Sequence, residues 1–107
     1  MTRARTPPDL GEDDLTPLLQ ATASRSLDTC LRGARGLAVL GDPRAFGLLL
    51  QLSREQDPAA RAEVCRALAA LEDPRAADRL RSLLYDADAA VRDAAFTALS
   101  QLQASQP

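Results

Sequence analysis

The amino-acid sequence predicts an all-α protein, an α-solenoid of about three antiparallel helix pairs. Three observations carry that prediction. The chain is 46% hydrophobic but only 3% aromatic, and Leu and Ala dominate. Those residues lose little freedom in a helix, and the β-branched and aromatic residues that favour strands are scarce. Next, "GDPRA" at Gly41 to Ala45 returns 31 residues later as "EDPRA" at Glu72 to Ala76. Finally, the match at that offset extends far beyond four letters. Leu37 falls on Leu68 and Leu99, Leu40 on Leu71 and Leu102, Leu49 on Leu80, Leu52 on Leu83, Asp57 on Asp88 and Arg61 on Arg92. Self-similarity at a fixed period of some tens of residues marks a stack of repeated supersecondary units.

Each unit reads as two helices. In the first unit Leu15, Leu18 and Leu19 stripe one helix and Leu27, Leu31, Ala34, Leu37 and Leu40 a second, predicting spans of roughly 12–23 and 26–40. In the second unit Asp42-Pro43 supplies an N-cap followed by the residue best tolerated at the first helical position. Asn would serve that capping role about as well. Leu49 and Leu52 then line one face, predicting a helix over 43–54. Asp57-Pro58 repeats the start signal, and Val64, Leu68 and Leu71 stripe a helix over 58–71. The third unit follows suit, with Asp73-Pro74 opening 74–85 and Asp88 opening 89–103, where Val91, Ala95, Leu99 and Leu102 form the stripe. These positions recur every three or four residues, the spacing of one helical face. The expected organisation is a flexible segment over 1–10, a repeat domain over 11–103 with units near 12–40, 42–71 and 73–103, and a flexible tail over 104–107.

Composition narrows the function. Thirteen arginines, with no lysine, meet fifteen carboxylates for a net charge of −2, whereas a general nucleic-acid binder is basic. Aromatic residues on which bases could stack are nearly absent. No apolar run approaches the ~20 residues of a membrane span, and the opening lacks the apolar core of a secretory signal. A cytoplasmic protein is expected. There is no histidine, which removes Ser-His triads, imidazole acid–base chemistry and His-ligated metals together.

Other chemistry-bearing residues have plain structural readings. Cys30 and Cys65 do not form a CxxC pair, and they are read as reduced. Cys65 shares its position with Ala34 and Phe96, a place expected to face the core. Glu12, Asp13 and Asp14 form an acidic first helical turn, which suits the positive end of the helix dipole. Asp86, Asp88 and Asp93 lack the glycine and terminal glutamate of a calcium loop and belong to a helix–helix turn. No catalytic residue, metal site or cofactor is expected.

The stretch from Ala34 to Leu102 resembles HEAT repeats, specifically the short variety found in phycobilin lyases and many bacterial scaffold proteins. The resemblance extends over about residues 12–103 and is strongest over 34–103. "VRDAA" at Val91 to Ala95 matches the opening of the family's second helix well, and "ARAEV" at Ala60 to Val64 loosely. The resemblance implies that Arg61 and Arg92, with the turn acids Glu55 and Asp86, tie neighbouring units together. Cys30 stands at the arginine's place in the first unit, so that tie is missing there. It also implies a role in protein interaction or, as an alternative, in ligand handling, such as a bilin lyase subunit. The stack is either a compact adaptor or an excerpt of a larger protein, since its ends lack obvious polar capping helices.

Two surfaces are candidates for a protein partner, with self-association or docking to other domains included. The second helices are expected to line the concave side, the usual binding face of a solenoid. They carry Arg32, Arg35, Arg61, Arg66 and Arg92, a cradle suited to an acidic peptide or phosphate. On the first helices, Leu48 and Leu50 stand where the next unit has Arg79 and Arg81. That exchange marks positions expected to be exposed, in a stretch whose apolar arc is wider than one packed face requires.

Overall fold

A computed structural model describes residues 10–105, with side chains described from Leu15 onward. It contains six helices and, among the described residues, no strand: α1 (Leu10–Thr22), α2 (Leu27–Val39), α3 (Arg44–Leu52), α4 (Pro58–Leu71), α5 (Ala76–Leu83) and α6 (Ala89–Ala104). The molecule measures 56 × 36 × 17 Å, the thickness of two helix layers. The second helices α2, α4 and α6 pack side by side in one layer. In the other layer, α3 rests against α2 and α4, and α5 against α6 and α4. The stack is thus cemented through its second helices.

The second helices start on the capping residues the sequence supplies. Asp57 Oδ1 accepts the Ala59 N–H at 3.0 Å and Asp88 Oδ1 that of Ala90 at 2.8 Å. In α2 the hydroxyl of Ser26 takes that place, accepting from Thr29 at 3.4 Å. The first helices begin differently. Asp42 and Asp73 each accept the N–H two residues on, at 2.9 Å, and a single tight turn precedes the regular helix. Consequently α3 and α5 start one and two residues later than Pro43 and Pro74 would suggest. Asp42 also receives the guanidinium fork of Arg44, with Nε at 3.0 Å and Nη2 at 2.6 Å. Asp73 receives Arg75 in the same way. These hydrogen bonds hold the Asp42 carboxyl down at about 2 and push that of Asp73 in the same direction. Asp42 and Asp73 are therefore not the N-caps expected of them, since α3 and α5 have no side-chain cap. Asn would keep the turn's acceptor but lose the ion pair, so the arginine of DPRA belongs to the turn as much as the aspartate does.

The residue before each DPRA adopts left-handed backbone, Gly41 at φ 74° and Glu72 at φ 60°. Glycine does so freely, whereas a side chain at such a φ crowds the following carbonyl. Glu72 is exposed and only its backbone is engaged, donating to the Ala69 carbonyl. Glu72→Gly is therefore expected to stabilise the protein by about 1 kcal/mol, read as a higher thermal midpoint. A lower midpoint would mean that the Glu72 side chain contributes more than its backbone strain removes.

The core is a seam of leucine and alanine. Leu37, Leu49, Leu68 and Leu80 are wholly buried, as are Val64 and Val91. Two residues expected to face the core, Leu40 of a stripe and Phe96 at the place of Cys65, lie elsewhere. Leu40 is 60% exposed, because α2 ends at Val39 and Leu40 is its C-cap residue. Phe96 is 66% exposed although Ala34 and Cys65, its equivalents, are fully buried. Both α2 and α4 have a further second helix packed beside them along the stack, and α6 is followed by none among the described residues.

The first pair is closer than the rest. A Cβ at Gly33 would lie 2.7 Å from the Leu18 carbonyl oxygen and 2.9 Å from Ala21 Cβ. Where α4 has Val64 and α6 has Ala95, α2 needs glycine to let α1 approach.

Candidate functional site

The residues nominated from the sequence divide into three groups. Arg61 is committed to the architecture. From the first turn of α4, its Nε and Nη2 donate to Asp86 at 2.9 and 3.0 Å, and its Nη1 to the carbonyls of Glu55 and Gln56. Only 16% of the Arg61 side chain and 10% of that of Asp86 remain exposed. This is the tie that the resemblance implied, made between consecutive units. The Arg61 hydrogen bonds, with a further one from the Asp88 N–H, hold the Asp86 carboxyl below the usual carboxylate range.

Arg32, Arg35 and Arg66 form the second group, exposed along the second-helix face. Arg35 and Arg66 approach the same carboxylate, Glu63, at 3.8 and 3.7 Å. Those separations exceed those of well-formed charge-assisted hydrogen bonds. Arg32 makes no ion pair among the described residues, and it lines a shallow hollow with Asp28, Leu31, Arg35 and Glu63. Beyond them, Arg66 borders an open groove between α4 and α6, with Ala90, Asp93, Ala94, Thr97 and Gln101.

Arg92 stands alone. It repeats the pose of Arg61, its Nη1 donating to the Asp86 carbonyl at 2.6 Å, but it meets no carboxylate among the described residues.

Leu48 and Leu50 are half-buried, contrary to the exposure expected of them. Leu48 packs against the core. The equivalent Arg79 explains why: its guanidinium turns inward to the preceding unit, donating to the Ser53 hydroxyl at 2.9 Å and the Ser53 carbonyl at 3.1 Å. Arg79 thus satisfies the only buried polar side chain among the described residues. At this position one unit packs a leucine on the core, and the next extends an arginine to the unit before it. Arg75 makes a further bridge, its guanidinium 4.2 Å from the centre of the Phe46 ring.

The thiols are unpaired. Burial, reinforced by Asp86, pushes Cys65 up to about 11, and burial with the nearby Glu55 raises Cys30. Neither is poised as a nucleophile. Asp86 and Asp88 serve as tie and cap, and among the described residues no group of three potential ligands is placed to hold a metal. The side chains of Glu12, Asp13 and Asp14 lie outside the described residues. No described helix is long and apolar enough to cross a membrane.

A two-layer stack of helix pairs, joined by an arginine of one unit and a turn acid of the next, defines a short α-solenoid. The family model for HEAT repeats matches residues 14–100, and the chain belongs to the HEAT-repeat family. No curated protein matches it.

Proposed function

We propose that the chain is a non-catalytic protein-interaction module whose second-helix face receives an acidic segment of a partner. The observation that carries this reading is the set of three exposed guanidinium groups, Arg32, Arg35 and Arg66, which share their hollows with Asp28 and Asp93 but approach only the carboxylate of Glu63. Two reach it only loosely and the third not at all, so their donors are available to a carboxylate that can offer better geometry. The half-buried Leu48 and Leu50 support the rival first-helix surface less well. Arg61, occupied by Asp86, is withdrawn from the cradle.

The test is fluorescence anisotropy with a labelled Glu-rich peptide. Binding is expected to weaken with added salt and to be lost in an Arg32→Glu/Arg66→Glu variant that remains helical. Equal binding by that variant would defeat the reading. A coloured complex on mixing with a bilin pigment, unaffected by those substitutions, would favour ligand handling instead.

A further inference from the structure

The protein contains its own template for how one unit receives the next. Arg61 and Cys65 lie one turn apart on α4, Arg61 held by the carboxylate of Asp86 from the third unit and Cys65 fully buried, with Asp86 near enough to help raise its thiol. Arg92 and Phe96 repeat that arrangement on α6. Arg92 is already braced by its own turn through Nη1, as Arg61 is. The Nε and Nη2 that Arg61 gives to Asp86 find no acceptor at Arg92 among the described residues. Phe96 lies 66% exposed beside it, and Ser100, whose equivalents Ala38 and Ala69 are buried, is exposed too. Most of the exposed face of α6 is polar, with Asp93, Thr97, Ser100 and Gln101 open to solvent as suits a solvated end, but the largest residue of the series Ala34, Cys65, Phe96 points outward among them.

From this we infer that the α6 end of the stack is a docking face for a helix pair outside residues 10–105 that carries a carboxylate at the turn between its helices. The carboxylate would take the fork of Arg92 as Asp86 takes that of Arg61, while the partner's second helix covers Phe96. Charge complementarity separates this occupant from a second copy stacked head to tail. The turn acids Glu55 and Asp86 have Ser24 as their equivalent in the first unit, followed by Arg25. A second copy would therefore meet Arg92 with a hydroxyl and a like charge. The first unit lacks the acid that would make this protein polymerise on itself. This face is distinct from the Arg32–Arg66 surface, so failure of acidic-peptide binding leaves the inference standing, and the reverse holds too.

The experiment uses the protein as its own probe. Ser24→Glu with Arg25→Gln copies the Glu55-Gln56 turn onto the first unit, and Arg92→Ala with Phe96→Ser disables the opposite end. Mixed with wild type, this four-substitution probe can form one such joint only. Sedimentation is expected to show wild type alone as a monomer and the mixture as a 1:1 complex. Arg92→Ala or Phe96→Ser in the wild-type partner should weaken that complex about tenfold or more. Should the probe prove unfolded by circular dichroism, the Ser24→Glu/Arg25→Gln protein by itself reads the same contact as concentration-dependent self-association. A folded probe that forms no complex would overturn the inference. So would a complex indifferent to Arg92 and Phe96, or wild type that self-associates as tightly as the mixture.

Discussion

Leu68→Ala is expected to destabilise the protein by about 2–5 kcal/mol, the range for emptying a buried leucine site. Leu68 is fully buried in α4, the central second helix, and its equivalents Leu37 and Leu99 continue the same seam to either side. The cost depends on how well the surroundings can close over the gap, and here they close poorly. Ala60, Ala67, Ala94, Ala95 and Ala98 make up much of the buried wall of α4 and α6, and alanine has no rotamers with which to reach inward. We therefore expect the upper half of that range. Chemical denaturation checks it, with the half-buried Leu50→Ala as a comparison expected to cost much less. A Leu68→Ala midpoint equal to that of wild type would mean that the seam does not hold the stack.

The second large effect is expected at the joint between units two and three. Arg61→Ala leaves the little-exposed Asp86 carboxylate without its fork, and a charge stranded in that way destabilises far more than its pairing stabilises. Arg92→Ala is the internal control, since it removes the same side chain from the same place in a unit where no carboxylate answers it. The denaturation midpoint should fall markedly for Arg61→Ala and little for Arg92→Ala. Equal losses would show that Arg61 acts through its turn carbonyls, which both arginines contact, and not through Asp86. The pair also sets a pH dependence. Asp86 titrates lower in the folded protein than in the unfolded chain, so folding is favoured while it is ionised. Its contribution is complete above the ordinary carboxylate range, near pH 4, and disappears as the pH falls through the lowered folded value. In Asp86→Asn this part of the acid-induced loss of stability should vanish, and the neutral-pH stability should already be lower.

The joint was legible through the resemblance to HEAT repeats, which implies a tie between units from Arg61 and Arg92 with Glu55 and Asp86, residues that recur 31 apart. The match at that offset also placed α4 at its observed bounds, where Asp57-Pro58 leaves little choice of start. The same device misled at Phe96 and Leu40. At Phe96 superposition treats the last unit as an interior member with neighbours on both sides, whereas burial depends on which neighbours exist; at Leu40 it extends the stripe one residue past the end of α2. Leu48 misled for a related reason, since arginine at the equivalent position was read as a mark of solvent. Arg79 instead reaches back to the buried Ser53, a contact between residues 26 apart that no local pattern announces. The close approach of α1 at Gly33 was equally silent, because a missing side chain leaves no periodic trace.

Cys30 occupies the place of Arg61, so Glu55 is left without the arginine that Asp86 enjoys. In a nearly one-dimensional array, stability resolves into the intrinsic strength of each member and the coupling between adjacent members. This array has unequal couplings, one clasped and one not. Thermal opening will then start at the unclasped boundary, releasing α1 and α2 as a cooperative block while α3 to α6 stay assembled. The array is then expected to unzip from its first unit, seen as earlier loss of amide protection in α1 and α2 than in α4 and α6.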